Sequence, residues 1–140
     1  MVITLTVRSI ANPKIISLNG QESVKDAADL MAKHEIDSVL VTQSGKYVGI
    51  VTERDLVRKV TQKALDPTSV SLKDIMSEPL TTIDANAGLG EATALMATRK
   101  IRRLLTVDDD GNFLGIFTQR DLQEKILDVF RGLSESQNLI

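Results

Sequence analysis

The sequence predicts a mixed α/β protein, of α+β type, built from two copies of one β-α-β-β-α unit. Three observations lead there. The string GIVTERDL at Gly49–Leu56 returns as GIFTQRDL at Gly115–Leu122. Upstream of each string, helical and strand periodicities follow one another in the same order. The chain has 140 residues, enough for one compact body, whereas a half of about 65 residues buries too little apolar surface to stand well alone. Two sheets packed face to face with pseudo-twofold symmetry would satisfy both halves.

The repeat extends well beyond the two strings. Ala27–Met31 matches Ala92–Met96, Ile36 matches Ile101, and Val39-Leu40 matches Leu104-Leu105. Further upstream, Leu5-Thr6-Val7 and Ile10 match Val70-Ser71-Leu72 and Ile75. The offset grows by one residue across Asp108-Asp109-Asp110-Gly111, as expected of an insertion in a turn. The expected division is 1–66 for the first repeat, 67–133 for the second and 134–140 for a C-terminal tail.

Each element has its own signal. Ile15–Leu18 and Leu80–Ile83 read as short strands. Val24, Ala27, Ala28 and Met31, and their counterparts Leu89, Ala92, Leu95 and Met96, fall at helical spacing within Ser23–Lys33 and Gly88–Arg99. Ser23 followed by Asp26 forms a capping-box pattern. Ser38–Thr42 and Tyr47–Val51 flank Ser44-Gly45, and Leu104–Val107 and Phe113–Phe117 flank Asp110-Gly111, so each pair reads as a hairpin. A helix then starts at Thr52 and at Thr118, the second running to about Arg131 with Leu122, Ile126, Val129 and Phe130 on one face. Asp66-Pro67-Thr68-Ser69 has turn chemistry and joins the repeats.

Composition narrows the function classes. No cysteine is present, which excludes disulfides, thiolate metal sites and cysteine nucleophiles and fits a cytoplasmic setting. No apolar run approaches the roughly 18 residues of a membrane span, and the N-terminus lacks the pattern of a secretory signal. A net charge of −2 and 3% aromatic residues disfavour nucleic-acid binding. The single histidine, His34, reads as a surface residue, and Met31, Met76 and Met96 as core. Asp108–Asp110 lacks the spacing of a calcium loop and reads as a solvated turn. No metal site and no catalytic constellation stands out, so the chain reads as a non-enzyme.

The T-x-R-D segments admit two readings. In one, Thr52 and Thr118 cap helices and Asp55 and Asp121 complete the boxes at the third helical position. In the other, the same hydroxyl and carboxylate, beside free helix N–H groups, hold a sugar-phosphate. Arg54 and Arg120 oppose the helix dipole, which points to an anionic ligand or to a salt bridge. The cluster Arg99, Lys100, Arg102 and Arg103 is a solvated helix end, or it directs Arg102 or Arg103 onto phosphate. The first repeat has Asp37-Ser38 at the latter positions, so two such sites would differ in affinity.

The duplicated G-h-h-T-x-R-D-L strings, the hairpins before them, L-K-D-I-M-S-E-P-L at Leu72–Leu80 and the A-L-D-P linker resemble a pair of cystathionine-β-synthase (CBS) domains, a Bateman module. The resemblance covers nearly the whole chain. It implies sheets packed together with two clefts, and binding there of AMP, ADP, ATP or S-adenosylmethionine as a regulatory ligand, with no catalytic cofactor. By position it implies that Asp55 and Asp121 bind ribose, Thr52 and Thr118 bind ribose or phosphate, and Arg54, Arg120, Arg102 and Arg103 reach phosphates. Adenine would lie against Ile16, Ser17, Thr82, Ile83 and Ala85, helped by Ile50 and Ile116. It further implies a stand-alone sensor that modulates a partner protein and forms a homodimer through its helices. The alternatives are a structural adaptor that binds no ligand and, less favoured, a nucleotide hydrolase.

Overall fold

The computed structural model describes residues 5–78 and 80–138. In chain order the elements are α1 (Val7–Ile10), β1 (Ser17–Asn19), α2 (Val24–His34), β2 (Ser38–Gln43), β3 (Lys46–Thr52) and α3 (Glu53–Leu56), which runs into a π-helical turn at Val57–Thr61. There follow α4 (Leu72–Ile75), β4 (Thr82–Asp84), α5 (Leu89–Arg99), β5 (Arg103–Val107), β6 (Phe113–Thr118) and α6 (Gln119–Asn138). Two three-stranded sheets result, ordered β1-β2-β3 and β4-β5-β6. In each, the first pair is parallel and the second antiparallel. The β-α-β-β-α order read from the sequence is therefore present twice.

The chain divides into two compact units. One is Ile16–Leu80. The other joins the chain up to Ile15 with the chain from Thr81 onward. Contacts and linear repeats are thus offset by one segment. α4, which precedes the second sheet in sequence, packs on the first sheet: Leu72 N–H donates to Glu22 O (3.0 Å) and Lys73 N–H to Gly20 O (2.9 Å). α1 does the same for the second sheet through Val7 N–H to Ala87 O and Arg8 N–H to Ala85 O, both 2.9 Å. Each pair of bonds is the other displaced by one repeat.

Each unit has its own core. In the first, Val24, Ala27 and Met31 of α2 meet Val39, Val41 and Val51 of the sheet, with Val60, Leu72 and Ile75 closing the cluster. In the second, Ala92 and Met96 of α5 meet Ile83, Leu104 and Phe117, closed by Val7 and Ala87. Met31 and Met96 are core residues as expected, and Met76 packs at the edge of the first cluster. His34 is half-buried rather than a plain surface residue.

The turns follow local chemistry. Ser44 and Gly45 both have positive φ, 51° and 77°, as a two-residue hairpin loop needs. The second hairpin has a longer loop, in which Asp108 accepts from the N–H groups of Asp110 and Asn112, each at 2.9 Å. In the linker, Asp66 Oδ1 accepts from Thr68 N–H (2.9 Å) and Thr68 Oγ1 (2.8 Å). α6 runs past the expected end at Arg131, taking in residues assigned to a tail; residues 139–140 lie outside the described residues. Gly132 lowers helix propensity but removes no backbone bond, and no proline follows it to stop the helix.

Candidate functional site

Strand register brings most of the singled-out residues to one end of each sheet. In the first unit Ser17 pairs with Leu40, Leu40 with Ile50, and Ile50 with Ser77, forming a row across the sheet. The counterpart in the second unit is Thr82, Leu105, Ile116 and Asn12. Two residues along, Ser38 pairs with Thr52 and Arg103 with Thr118. These residues alternate with the core-facing Val39, Val51, Leu104 and Phe117, so they share the opposite sheet face. Ile16 immediately precedes β1, its carbonyl accepting from Leu40 N–H at 3.0 Å.

Three residues are placed elsewhere. Ile83 pairs with Thr106 and its side chain belongs to the second core. Ala85 is fully buried beyond the far end of β4, where its backbone is taken up by Val107 and Arg8. Arg102 is exposed and contributes its carbonyl to Gln119 N–H (2.9 Å), whereas Arg103 is half-buried and opposite Thr118. Of the basic pair, Arg103 is therefore the one aligned with the T-x-R-D end.

Both capping boxes form. Thr52 Oγ1 accepts from Asp55 N–H (3.3 Å) and Asp55 Oδ2 from Thr52 N–H (2.9 Å). Thr118 Oγ1 accepts from Asp121 N–H (3.0 Å) and Asp121 Oδ2 from Thr118 N–H (3.3 Å). The boxes then diverge. Asp55 is 7% exposed. Its Oδ2 also accepts from the Thr52 hydroxyl (3.2 Å), while its Oδ1 meets Lys59 Nζ (3.1 Å) and the Ser77 hydroxyl (3.5 Å). Asp121 is half-buried and accepts from Thr118 N–H; Arg120 pairs with Glu124 instead, and Lys125, four residues on, forms no ion pair with it. Arg54 and Arg120 are exposed, and Arg120 Nε pairs with Glu124 Oε1 at 3.3 Å.

Lys59, Ser77 and Asn12 were not singled out by the sequence reading. Lys59 had a signal, since it stands four residues after Asp55 as Lys125 does after Asp121. Ser77 and Asn12 had none, because their role depends on which sheet the preceding short helix joins. Among the described residues no group of histidines and carboxylates is suited to a metal, and no helix is long and apolar enough to cross a membrane.

Comparison with known proteins bears on this geometry. The CBS domain family model matches the chain twice, over residues 7–62 and 72–128. The CBS domain-containing protein YhcV of Bacillus subtilis is 31% identical over 117 residues, covering 84% of this chain and 82% of YhcV. An uncharacterised protein of Methanopyrus kandleri is 38% identical over 120 residues, 85% of this chain but 61% of that one. The crystal structure of a hexameric CBS-CP12 protein from bloom-forming cyanobacteria superimposes with a TM-score of 0.79 at 27% identity, covering 87% of this chain and 68% of that one. The chain belongs to the CBS domain family and carries the domain as a pair. CBS pairs are generally regulatory modules.

Proposed function

We propose that this CBS pair is a sensor that binds an adenosine-containing ligand (AMP, ADP, ATP or S-adenosylmethionine) at the T-x-R-D ends and transmits occupancy to a partner protein. The observation that carries the reading is the state of Asp121. A carboxylate has about four acceptor positions; at Asp121 the Thr118 N–H takes one, and neither the Thr118 hydroxyl nor Lys125 donates to it as Thr52 and Lys59 do at Asp55. A ribose diol supplies two hydroxyl donors in the geometry a carboxylate takes. The Thr118 hydroxyl accepts from the helix and keeps its hydrogen for a ligand oxygen. Arg103, paired with Thr118 on the same strand face, supplies a cation for phosphate, and Arg120 a second one beside Asp121. Thr82 and Ile116, in the row two residues along, offer an uncharged border for the base.

A ligand screen by thermal unfolding and titration calorimetry tests this. A bound ligand at a hundredfold excess over Kd stabilises the chain by about 2.7 kcal/mol, and Asp121→Asn removes that gain while the unliganded chain still folds. Absence of any shift with all four compounds at millimolar concentration overturns the reading.

One observation favours a second role. Ile126, Val129, Phe130 and Leu133 of α6 are 45 to 64% exposed and lie on one side of the helix, a face suited to self-association or partner docking. The expected homodimer through helices would use it. Sedimentation tests this face: association lost in Phe130→Glu supports it as the interface, and such association in a chain that binds none of the four compounds supports an adaptor.

A further inference from the structure

We infer that Lys59 closes the first T-x-R-D carboxylate to ligand, so that the chain takes one adenosyl ligand, at Asp121, rather than two. The inference rests on the ligand class proposed above. Its own ground is the accounting of donors at the two aspartates. At Asp55 protein donors fill both oxygens: Thr52 N–H and the Thr52 hydroxyl on Oδ2, Lys59 Nζ and the Ser77 hydroxyl on Oδ1. That is the full complement of a carboxylate. Donating to Asp55 also uses up the hydrogen of the Thr52 hydroxyl. A ribose diol would have to displace an ammonium that is itself anchored, since Lys59 Nζ also donates to Ile75 O at 2.8 Å.

Two local features build this lock in the first unit and leave it out of the second. The first is the helix after the box. After α3 the chain takes i to i+5 hydrogen bonds, Gln62 N–H to Val57 O (2.8 Å) and Leu65 N–H to Val60 O (3.0 Å). Lys59 stands within that π-helical turn, and π-turns redirect side chains relative to a regular helix. Lys125 occupies the matching place in the regular α6 and makes no ion pair with Asp121. The second is the residue that crosses the end of the row. Ser77 reaches Asp55, but its counterpart Asn12 turns its side chain back on its own loop, where Oδ1 accepts from Lys14 N–H at 2.9 Å. The ion pair at Asp55 is 10% exposed on the carboxylate side and 39% on the lysine side, so it is better shielded from water than an open surface pair.

Lys59 is thus a positioning residue that sets the number of sites. Titration calorimetry with 5′-AMP, ATP and S-adenosylmethionine in turn reads that number. The wild-type chain saturates at one ligand per chain, and Asp121→Asn weakens binding at least tenfold. Lys59→Met, or Lys59→Gln if the first variant does not fold, gains a second site. Lys59→Arg and Lys125→Met stay at one. Two sites in the wild type, or a count unchanged by removing the Lys59 charge, overturns the inference. If no adenosyl compound binds any variant, it is the proposed function that fails, and the lock is read without ligand. Asp55→Asn and Lys59→Met then couple by about fivefold in the unfolding constant, while Asp121→Asn and Lys125→Met are additive. Additivity at 55 and 59 overturns the lock itself.

Discussion

Gly115 and Gly49 stand where a second stretch of backbone crosses the last strand of each sheet. A Cβ on Gly115 would overlap the carbonyl of Asn12, whose backbone exchanges two 2.9 Å hydrogen bonds with Ile116. A Cβ on Gly49 would meet Met76 Sδ at 2.6 Å and Ser77 O at 3.1 Å. The obstacle at 115 is main chain, while most of the obstacle at 49 is the end of a flexible side chain. Gly115→Ala therefore costs about 2–3 kcal/mol and Gly49→Ala about 1–2 kcal/mol, within the range for overpacking. Urea unfolding checks the order, and equal midpoints for the two variants would contradict it. At this scale the sequence was informative about the boxes, because Thr and Asp three apart before a helix have one dominant local use. It said nothing of the difference between Asp55 and Asp121. That difference comes from Lys59, held by the distant Ile75 carbonyl, and from Ser77, also distant in sequence.

A helix cap, the linker and a hairpin turn are each closed by a carboxylate on backbone N–H groups. Ser23 N–H beside Asp26, Thr68 N–H beside Asp66, and Asn112 N–H beside Asp108 each hold the carboxyl below its ordinary 3.8. A pKa lowered by folding contributes stability that is complete above the unfolded value and is lost as pH falls through the folded one. The caps of α2, the linker and the second hairpin should thus be intact at neutral pH and weaken only below about pH 4. Carboxyl NMR titration is expected to place all three midpoints below 3.8, the ordinary value. A midpoint above it at any of the three would contradict the assigned hydrogen bond. Helices and strands were legible because their apolar periods are long and regular. The π-helical turn after α3 was not, since no residue type marks a change from i+4 to i+5 bonding. α6 continues past Arg131 to Asn138, since Gly132 alone does not end a helix.

For the whole molecule, the exchange of α1 and α4 has consequences. Each compact unit takes one closing helix from the other end of the linear repeat, so neither repeat cut at residue 66 contains its complete core: Leu72 and Ile75 lie beyond the cut in one case and Val7 before it in the other. Fragments 1–66 and 67–140 prepared separately are expected to lack a cooperative melting transition, and to regain one when mixed. Two independently cooperative fragments would contradict the exchange. The repeat itself was plain in the sequence, down to the match of Val7 with Leu72. Which sheet each helix would join was not, because the two repeats carry matching apolar residues and the pattern cannot distinguish them. The central claim remains that Asp121, and not the chain's own backbone alone, uses its carboxylate to hold a nucleoside sugar. A crystal structure with excess 5′-AMP tests it most directly. The account predicts ribose hydroxyls within hydrogen-bond distance of the Asp121 carboxylate and none at Asp55. Nucleotide bound elsewhere on the chain, or at Asp55 with Lys59 still in place, would contradict it.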